Sequence, residues 1–241
     1  MKALLLAAGY ARRLGELAKD TPKALLEISN KPLLDYLIEK LEKVNDLTDI
    51  YLITNEKYFK KFVEWRQNYK GRLNVFIKSD GTTSNENRLG AIGDIIFSIE
   101  NFNIDDDLLI TATDSYFNFE LDGFIKLFKG VNLDVIMGQK FLDKEEIKRF
   151  GVAQLDKDNI IIDMEEKPQE PKSDIVVYAT YIFKKDTLPL FYKYKNENNN
   201  MDAPGNFVNW LYKRSKVKVF IAQEKYYDIG TKETYSQLKN N

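Results

Sequence analysis

The apolar run Ala3–Ala8 (ALLLAA), closed by Gly9, constrains the fold more than any other feature of the chain. Six consecutive apolar residues with no polar alternation cannot line a sheet that has one face in water. They predict a short strand buried on both faces, which requires helices above and below it. The run is too short for a signal-peptide core of about 7–15 apolar residues or a membrane span of about 20. A cytoplasmic protein, with no membrane partner, is therefore the expectation.

The pattern downstream fits such a layered sheet. Lys31–Val44 carries a helical stripe at Leu33, Leu34, Leu37, Ile38 and Leu41. Asp49–Thr54 reads as a second strand, a helix follows around Tyr58–Asn68, Leu73–Ile77 is a third strand and Leu89–Ile99 a third helix. Asp107–Thr113 is a fourth strand running directly into Asp114. Alternation of this kind implies a mostly parallel sheet covered by helices on both faces. Past this point the character changes. Phe150–Leu155 and Asn159–Met164 flank a charged turn and predict a hairpin. Ile175–Phe183 and Val217–Ala222 read as further strands, with helices over Lys185–Lys195 and Phe207–Lys213 between them. No internal repeat or long linker interrupts the 241 residues.

Two absences narrow the chemistry. The chain has no histidine and no cysteine, which removes disulfides, thiolate nucleophiles, Cys/His zinc sites and imidazole bases. Catalysis would rest on carboxylates, Lys, Arg, Tyr, hydroxyls, backbone amides or an oxygen-ligated metal. With 36 basic and 37 acidic residues, the net charge of −1 gives no global field for nucleic acid or an anionic membrane. A local basic site for a small anion remains open.

Three clusters could carry chemistry. In the first, the strand ends in Ala7-Ala8-Gly9, followed by Arg12, Arg13 and, further on, Pro22-Lys23. Small residues let backbone N–H groups approach a phosphate, and Arg13 and Lys23 add charge where polyphosphate charge develops. This is neither a Walker A loop nor GxGxxG, and a plain strand–loop junction is the competing explanation. In the second, Asp114 ends an apolar strand, where ligands of open α/β sheets bind. Paired with Asp228 of Tyr227-Asp228-Ile229-Gly230-Thr231, it suits Mg²⁺, although a turn or cap aspartate is the commoner role. Asp105-Asp106-Asp107 is expected to be only a solvated turn. In the third, Glu165-Glu166-Lys167-Pro168 lies downstream of Phe150-Gly151; taken alone it is a surface charge run.

Together these segments resemble the sugar-phosphate nucleotidyltransferases, the NDP-sugar pyrophosphorylases of the glucose-1-phosphate thymidylyl/uridylyltransferase kind. Leu6–Leu14, Pro22–Leu26 and Lys31–Leu34 follow the family's opening segment. Glu86–Ala91, Thr113-Asp114, Arg149–Val152, Glu165–Pro168 and Tyr227–Thr231 continue it in the family's order. The resemblance implies an α/β, Rossmann-like (GT-A type) fold with a small antiparallel portion in the C-terminal half. It also implies one catalytic domain over residues 1–241, without a C-terminal β-helix.

By the same resemblance, an NTP condenses with a sugar 1-phosphate, by Mg²⁺-assisted in-line attack on the α-phosphate, and pyrophosphate leaves. Ala8 and Gly9 would lie against the nucleotide, Arg13 and Lys23 would be catalytic, and Asn85 and Gly90 would face the base. Asp114 and Asp228 would hold the metal. Gly151, Glu166, Lys167, Tyr178 and Thr180 would form the sugar-phosphate side. A homo-oligomer would be in keeping with the family. The chain departs from the pattern at Ala11, which replaces the second loop glycine and is accommodated if its φ stays negative. It departs also at Arg12, at Gly15-Glu16-Leu17, where the usual proline is absent, and at Asn85, which stands for Gln. Competing readings are a CTP-dependent phosphocholine or phospho-alcohol cytidylyltransferase, with Tyr116, Phe117, Tyr226 and Tyr227 as an aromatic cage, and a non-catalytic relative. A glycosyltransferase is a third, but Thr113–Tyr116 supplies no Asp-x-Asp-like motif.

Overall fold

In the computed structural model, which describes residues 1–141, 143–223, 226–229 and 232–239, the first apolar run becomes strand β1 (Lys2–Ala7). The remaining elements follow in order as β2 (Glu27–Ile28), β3 (Lys31–Pro32), α1 (Leu33–Glu42), β4 (Asp49–Thr54), α2 (Glu56–Asn68) and β5 (Asn74–Ser79). Next come α3 (Ala91–Asn101), β6 (Leu108–Ala112), β7 (Ser115–Phe117), α4 (Asp122–Val131), β8 (Asp134–Lys140) and α5 (Lys144–Ile147). The chain closes with β9 (Gly151–Leu155), β10 (Ile161–Glu166), β11 (Ile175–Phe183), α6 (Leu188–Asn196), α7 (Pro204–Leu211), β12 (Val217–Ala222), β13 (Tyr226–Asp228) and α8 (Lys232–Lys239).

β1 lies in the middle of the sheet, parallel to β4 on one side and β6 on the other, and β5 extends the β4 edge in parallel. Beyond β6, β11 runs antiparallel, and β8 and β12 follow it. The β9–β10 hairpin attaches to the first half of β11. Because strand side chains alternate faces, β1 feeds two cores. Ala3, Leu5 and Ala7 pack with α1, α2 and α4, through residues such as Leu34, Leu37, Tyr58, Phe62 and Phe124. Leu4 packs on the opposite face with α3, α6 and α7, through Ile92, Ile95, Phe191, Phe207 and Trp210. Both faces are thus covered, as the unbroken apolar run requires.

Element boundaries follow local chemistry. α1 starts at Leu33 rather than Lys31 because Lys31–Pro32 pairs with Glu27–Ile28 and Pro32 is extended (φ −54°, ψ 139°). α3 starts after Gly90, whose φ of +77° cannot continue a helix. The acidic turn at 105–107 is more than solvated. Asp106 binds the N-terminal ammonium at 2.9 Å, Asp105 binds Lys185 Nζ at 2.7 Å, and Asp107 Oδ1 accepts the Lys185 amide at 2.8 Å. No helix among the described residues is long and apolar enough to cross a membrane.

Candidate active site

The carboxyl ends of β1 and β6 open into a cleft of about 820 Å³. That is within the range of small-molecule sites and lies at the sheet edge where α/β folds bind ligands. Its first wall is the loop after β1. The carbonyl of Ala8 accepts the side-chain amide of Asn55 at 2.8 Å, and Asn55 Oδ1 accepts the Tyr58 amide at 3.1 Å, capping α2. Tyr58 in turn donates its hydroxyl to the Ala18 carbonyl at 2.7 Å. Leu14 and Ala18 anchor the loop in a third apolar cluster with Ile28, Ile229 and Tyr235. Ala11 turns the chain in the left-handed region (φ 48°, ψ 35°). Its φ is positive, so the condition under which a Cβ is accommodated freely is not met, and the Cβ is carried there at a steric cost.

Arg13 lines the cleft and is exposed. Lys23, in the short turn Lys23–Leu25, places Nζ 2.7 Å from Asp114 Oδ2. Asp114 follows β6 immediately. The next residues form β7, which pairs with β13 so that Asp228 stands opposite Ser115, and the Ile229 amide donates to the Asp114 carbonyl at 2.9 Å. The backbone thus brings the two aspartates side by side, while the Asp228 side chain lies outside the described residues.

The second wall holds Asn85 and Gly90. Arg88 donates to the Asn85 carbonyl at 2.8 Å and, through Nε and Nη2, to Asp202 Oδ1 at 3.0 and 2.9 Å. Carbonyls of Asp202 and Met201 accept the amides of Ala91 and Ile92 at 3.2 and 3.0 Å, covering the start of α3. A Cβ on Gly90 would stand 2.5 Å from the Met201 oxygen, so only glycine permits this approach. Beneath the wall, Asp94 is 7% exposed and reaches the cleft. Burial and the neighbouring Asp80 hold its carboxyl far above the usual carboxylate range. Asp80 accepts from the Thr82 amide and hydroxyl at 2.7 and 2.8 Å, and Thr82 meets the Tyr10 hydroxyl at 3.0 Å.

The third wall comes from the hairpin and β11. Gly151, Glu166, Lys167 and Tyr178 line the cleft, with Lys148, Arg149 and Gln169 beside them. Glu166 keeps only 20% of its side chain exposed, and burial raises its pKa while the adjacent Lys167 ammonium, 3.8 Å away, opposes the rise. Lys167 has a positive φ of 52° directly before Pro168, two restrictions that coincide at the site. Thr180 does not reach the cleft. It is 1% exposed and pairs its hydroxyl with Thr111 at 2.9 Å, on the strand opposite. Thr180 lies on the same face of β11 as Tyr178, and its hydroxyl meets that of Tyr226 at 3.5 Å, beside the ring that stacks on Tyr178.

The four aromatic residues do not enclose a cage. Phe117 and Tyr226 stack on each other at 5.6 Å, Tyr178 stacks on Tyr226 at 3.6 Å, and Tyr116 meets Tyr36 edge-on at 5.3 Å.

The Nucleotidyl transferase family profile matches residues 2–241. The chain belongs to that family. It is 29% identical over 231 residues to the bifunctional protein GlmU of Methanocaldococcus jannaschii, covering 95% of this chain and 51% of that protein. The chain thus spans about half of that relative's length. It is 28% identical to the UTP–glucose-1-phosphate uridylyltransferase AglF of Haloferax volcanii, covering 76% of this chain and 72% of that protein. A solved UDP-glucose pyrophosphorylase in complex with UDP-glucose shares the fold, with a TM-score of 0.82 at 19% identity over 99% of this chain and 97% of that one.

Several residues of this nucleotidyl transferase site escape a reading of the sequence. Asn55 carries a visible signal, since an Asn between a strand and a helix is a standard N-cap. Arg88 lies within the Glu86–Ala91 segment, where nothing marks its role, and Asp94, Asp202 and Gly205 carry no signal, because their roles arise from contacts between distant segments.

Proposed function

We propose that the chain condenses a nucleoside triphosphate with a sugar 1-phosphate, releasing pyrophosphate and a nucleoside diphosphate sugar. The observation that carries this reading is the Lys23–Asp114 contact of 2.7 Å inside one cleft. The glycine loop, Arg13, Glu166 and Lys167 line the same cleft. The names of AglF and of the solved UDP-glucose pyrophosphorylase support a hexose 1-phosphate as the acceptor.

In this reading Ala8 and Gly9 lie against the nucleotide, and Asn85 and Gly90 face its base. Arg13 neutralises the triphosphate and the departing pyrophosphate. Lys23 bridges the phosphates of both substrates, so that the attacking oxygen lies in line with the α-phosphorus. Gly151, Glu166, Lys167 and Tyr178 hold the sugar phosphate. The nucleophile is an anion near neutral pH, so the reaction needs no imidazole or thiol. Positioning and charge neutralisation do the chemistry, and each such charged donor contributes about 10²–10³ in rate.

The donor set fits Mg²⁺. Asp114 is a hard oxygen ligand, 40% exposed and open to the cleft, and one or two carboxylates completed by phosphate oxygens suit this ion. Asp114 and Asp228 would hold it, where it would neutralise charge on the triphosphate and the leaving group.

The test is pyrophosphate release from a matrix of UTP, dTTP, CTP and GTP against glucose 1-phosphate, mannose 1-phosphate and phosphocholine. Release with a sugar 1-phosphate supports the reading. Release only with CTP plus phosphocholine overturns it.

A further inference from the structure

One oxygen of the Glu166 carboxylate occupies space left open beside two glycines from different parts of the chain. A Cβ on Gly151, at the start of β9, would stand 3.0 Å from Glu166 Oε2, 2.9 Å from Val177 Cγ2 and 3.1 Å from Met164 Cε. A Cβ on Gly205, in the first turn of α7, would fall inside the van der Waals envelope of the same oxygen and 3.1 Å from Glu166 Cδ. The other oxygen, Oε1, faces Lys167 Nζ at 3.8 Å.

The backbone of Gly205 gives no reason for glycine. It is not among the glycines of positive φ, and it sits in a helix, where glycine is about 1 kcal/mol less favourable than alanine. What glycine provides there is space. The segment is also fastened in place: Asp202 is held by Arg88, and the Met201 and Asp202 carbonyls cover the start of α3 on the opposite wall. The volume beside Glu166 is thus defined by a fixed wall.

We propose that Gly205 is a positioning residue for the sugar phosphate. Its missing side chain leaves the space that Glu166 Oε2 occupies, and this fixes the carboxylate that accepts the sugar hydroxyls. The inference rests on the nucleotidyl-transfer reading above. A site that hydrogen-bonds a substrate hydroxyl discriminates strongly, and a misplacement of about 1 Å costs on the order of 10²-fold. Gly205 therefore acts on sugar selectivity rather than on the nucleotide.

The test compares steady-state kinetics of Gly205→Ala, Glu166→Asp and the double variant, with glucose 1-phosphate and UTP or dTTP. Gly205→Ala is expected to lower kcat/KM for the sugar phosphate tenfold or more, to leave KM for the NTP within twofold, and not to lower Tm. In the Gly205→Ala background, Glu166→Asp shortens the side chain away from the new Cβ and recovers part of that loss, although alone it is deleterious. An unchanged sugar-phosphate kcat/KM, an equal effect on both substrates, or a double variant no better than Gly205→Ala overturns the proposal. If Gly205→Ala does not fold, the double variant should, and its failure to fold also overturns it. If the unaltered protein turns over neither pair, the reaction assignment for glucose 1-phosphate fails and the positioning claim is decided by a crystal structure of Gly205→Ala. A Glu166 carboxylate displaced by about 1 Å supports it, and an unmoved one ends it.

Discussion

Lys23 Nζ and Asp114 Oδ2 meet at 2.7 Å although 91 positions separate them in the chain. The contact links the loop after β1 to the end of β6. With Asp114 40% exposed, the pair adds no more than about 1 kcal/mol to stability, so its value lies in charge placement. Asp114→Asn is expected to shift Tm by only a few degrees and to reduce pyrophosphate release at least ~100-fold, as loss of a preorganised charge does. Lys23→Met should lose a similar factor. A variant retaining a tenth of the wild-type rate at saturating Mg²⁺ would remove that residue from the chemistry.

Ala11 holds a φ of 48° with a Cβ in place. The left-handed region costs such a residue about 1–2 kcal/mol, partly offset because alanine restricts the unfolded chain by about 0.4–1 kcal/mol relative to glycine. Ala11→Gly should therefore stabilise the protein by about 0.5–1 kcal/mol, raising Tm by ~1–4 °C for a chain of this size. Thermal unfolding followed by circular dichroism measures this. A lower Tm would show that the Cβ contributes packing that outweighs the strain.

The parts of this architecture that can be read from the chain are those whose signal is local. β4, β11 and β12 match their apolar and β-branched runs residue for residue, and Asp114 stands out as a carboxylate closing such a run. β8 is different. It opens on Asp134, a polar residue at a buried position. Burial pushes Asp134 to about 6, and the Lys184 amide and Thr187 hydroxyl that satisfy it come from beyond β11. Together with Gly138 and Gln139, this makes the segment look like a loop. Thr180 misleads for a related reason, since Thr111 and Tyr226, which meet its hydroxyl, come from distant parts of the chain. Gly205 leaves no trace at all, because its role exists only once Glu166 is folded against it.

Asn55 joins the loop after β1 to α2 with two ends of one side chain. It is fully buried, donating to the Ala8 carbonyl and accepting from the Tyr58 amide. Asn55→Ala removes a cap worth about 1 kcal/mol and strands a carbonyl at about 1–3 kcal/mol, so a loss of about 2–4 kcal/mol is expected. Asn55→Asp keeps the cap but turns the donor into a second acceptor facing Ala8. It should therefore retain α2 while disturbing the loop, raising KM for the NTP more than for the sugar phosphate. Urea unfolding separates the two variants. Equal destabilisation by both would mean that the bond to Ala8 carries the whole effect.

Asp80 and Asp94 form the one pair whose charge state should govern the pH dependence of the cleft floor. Asp80 Oδ2 and Asp94 Oδ1 are both buried without a hydrogen-bond partner, and the two carboxyls face each other. A proton on Asp94 directed at Asp80 satisfies both atoms, and burial with a like charge nearby favours that state. Burial and Asp80 raise Asp94 well above its ordinary value of 3.8. In the folded protein it therefore binds a proton that the unfolded chain has already released. Its contribution to stability is complete below about pH 4 and is lost as pH rises through the raised folded value. Asp94→Asn replaces the acid's O–H with an N–H aimed at Asp80. The variant should match the wild type in Tm near pH 4 and exceed it by a margin that grows toward pH 9, flattening the alkaline limb. The Tyr10 hydroxyl, reached through Thr82, is the other titratable group facing the pair, so Tyr10→Phe provides the control. A Tm difference between Asp94→Asn and wild type that stays constant from pH 4 to 9 would mean that Asp94 carries the same charge folded as unfolded, so that its pKa is not raised.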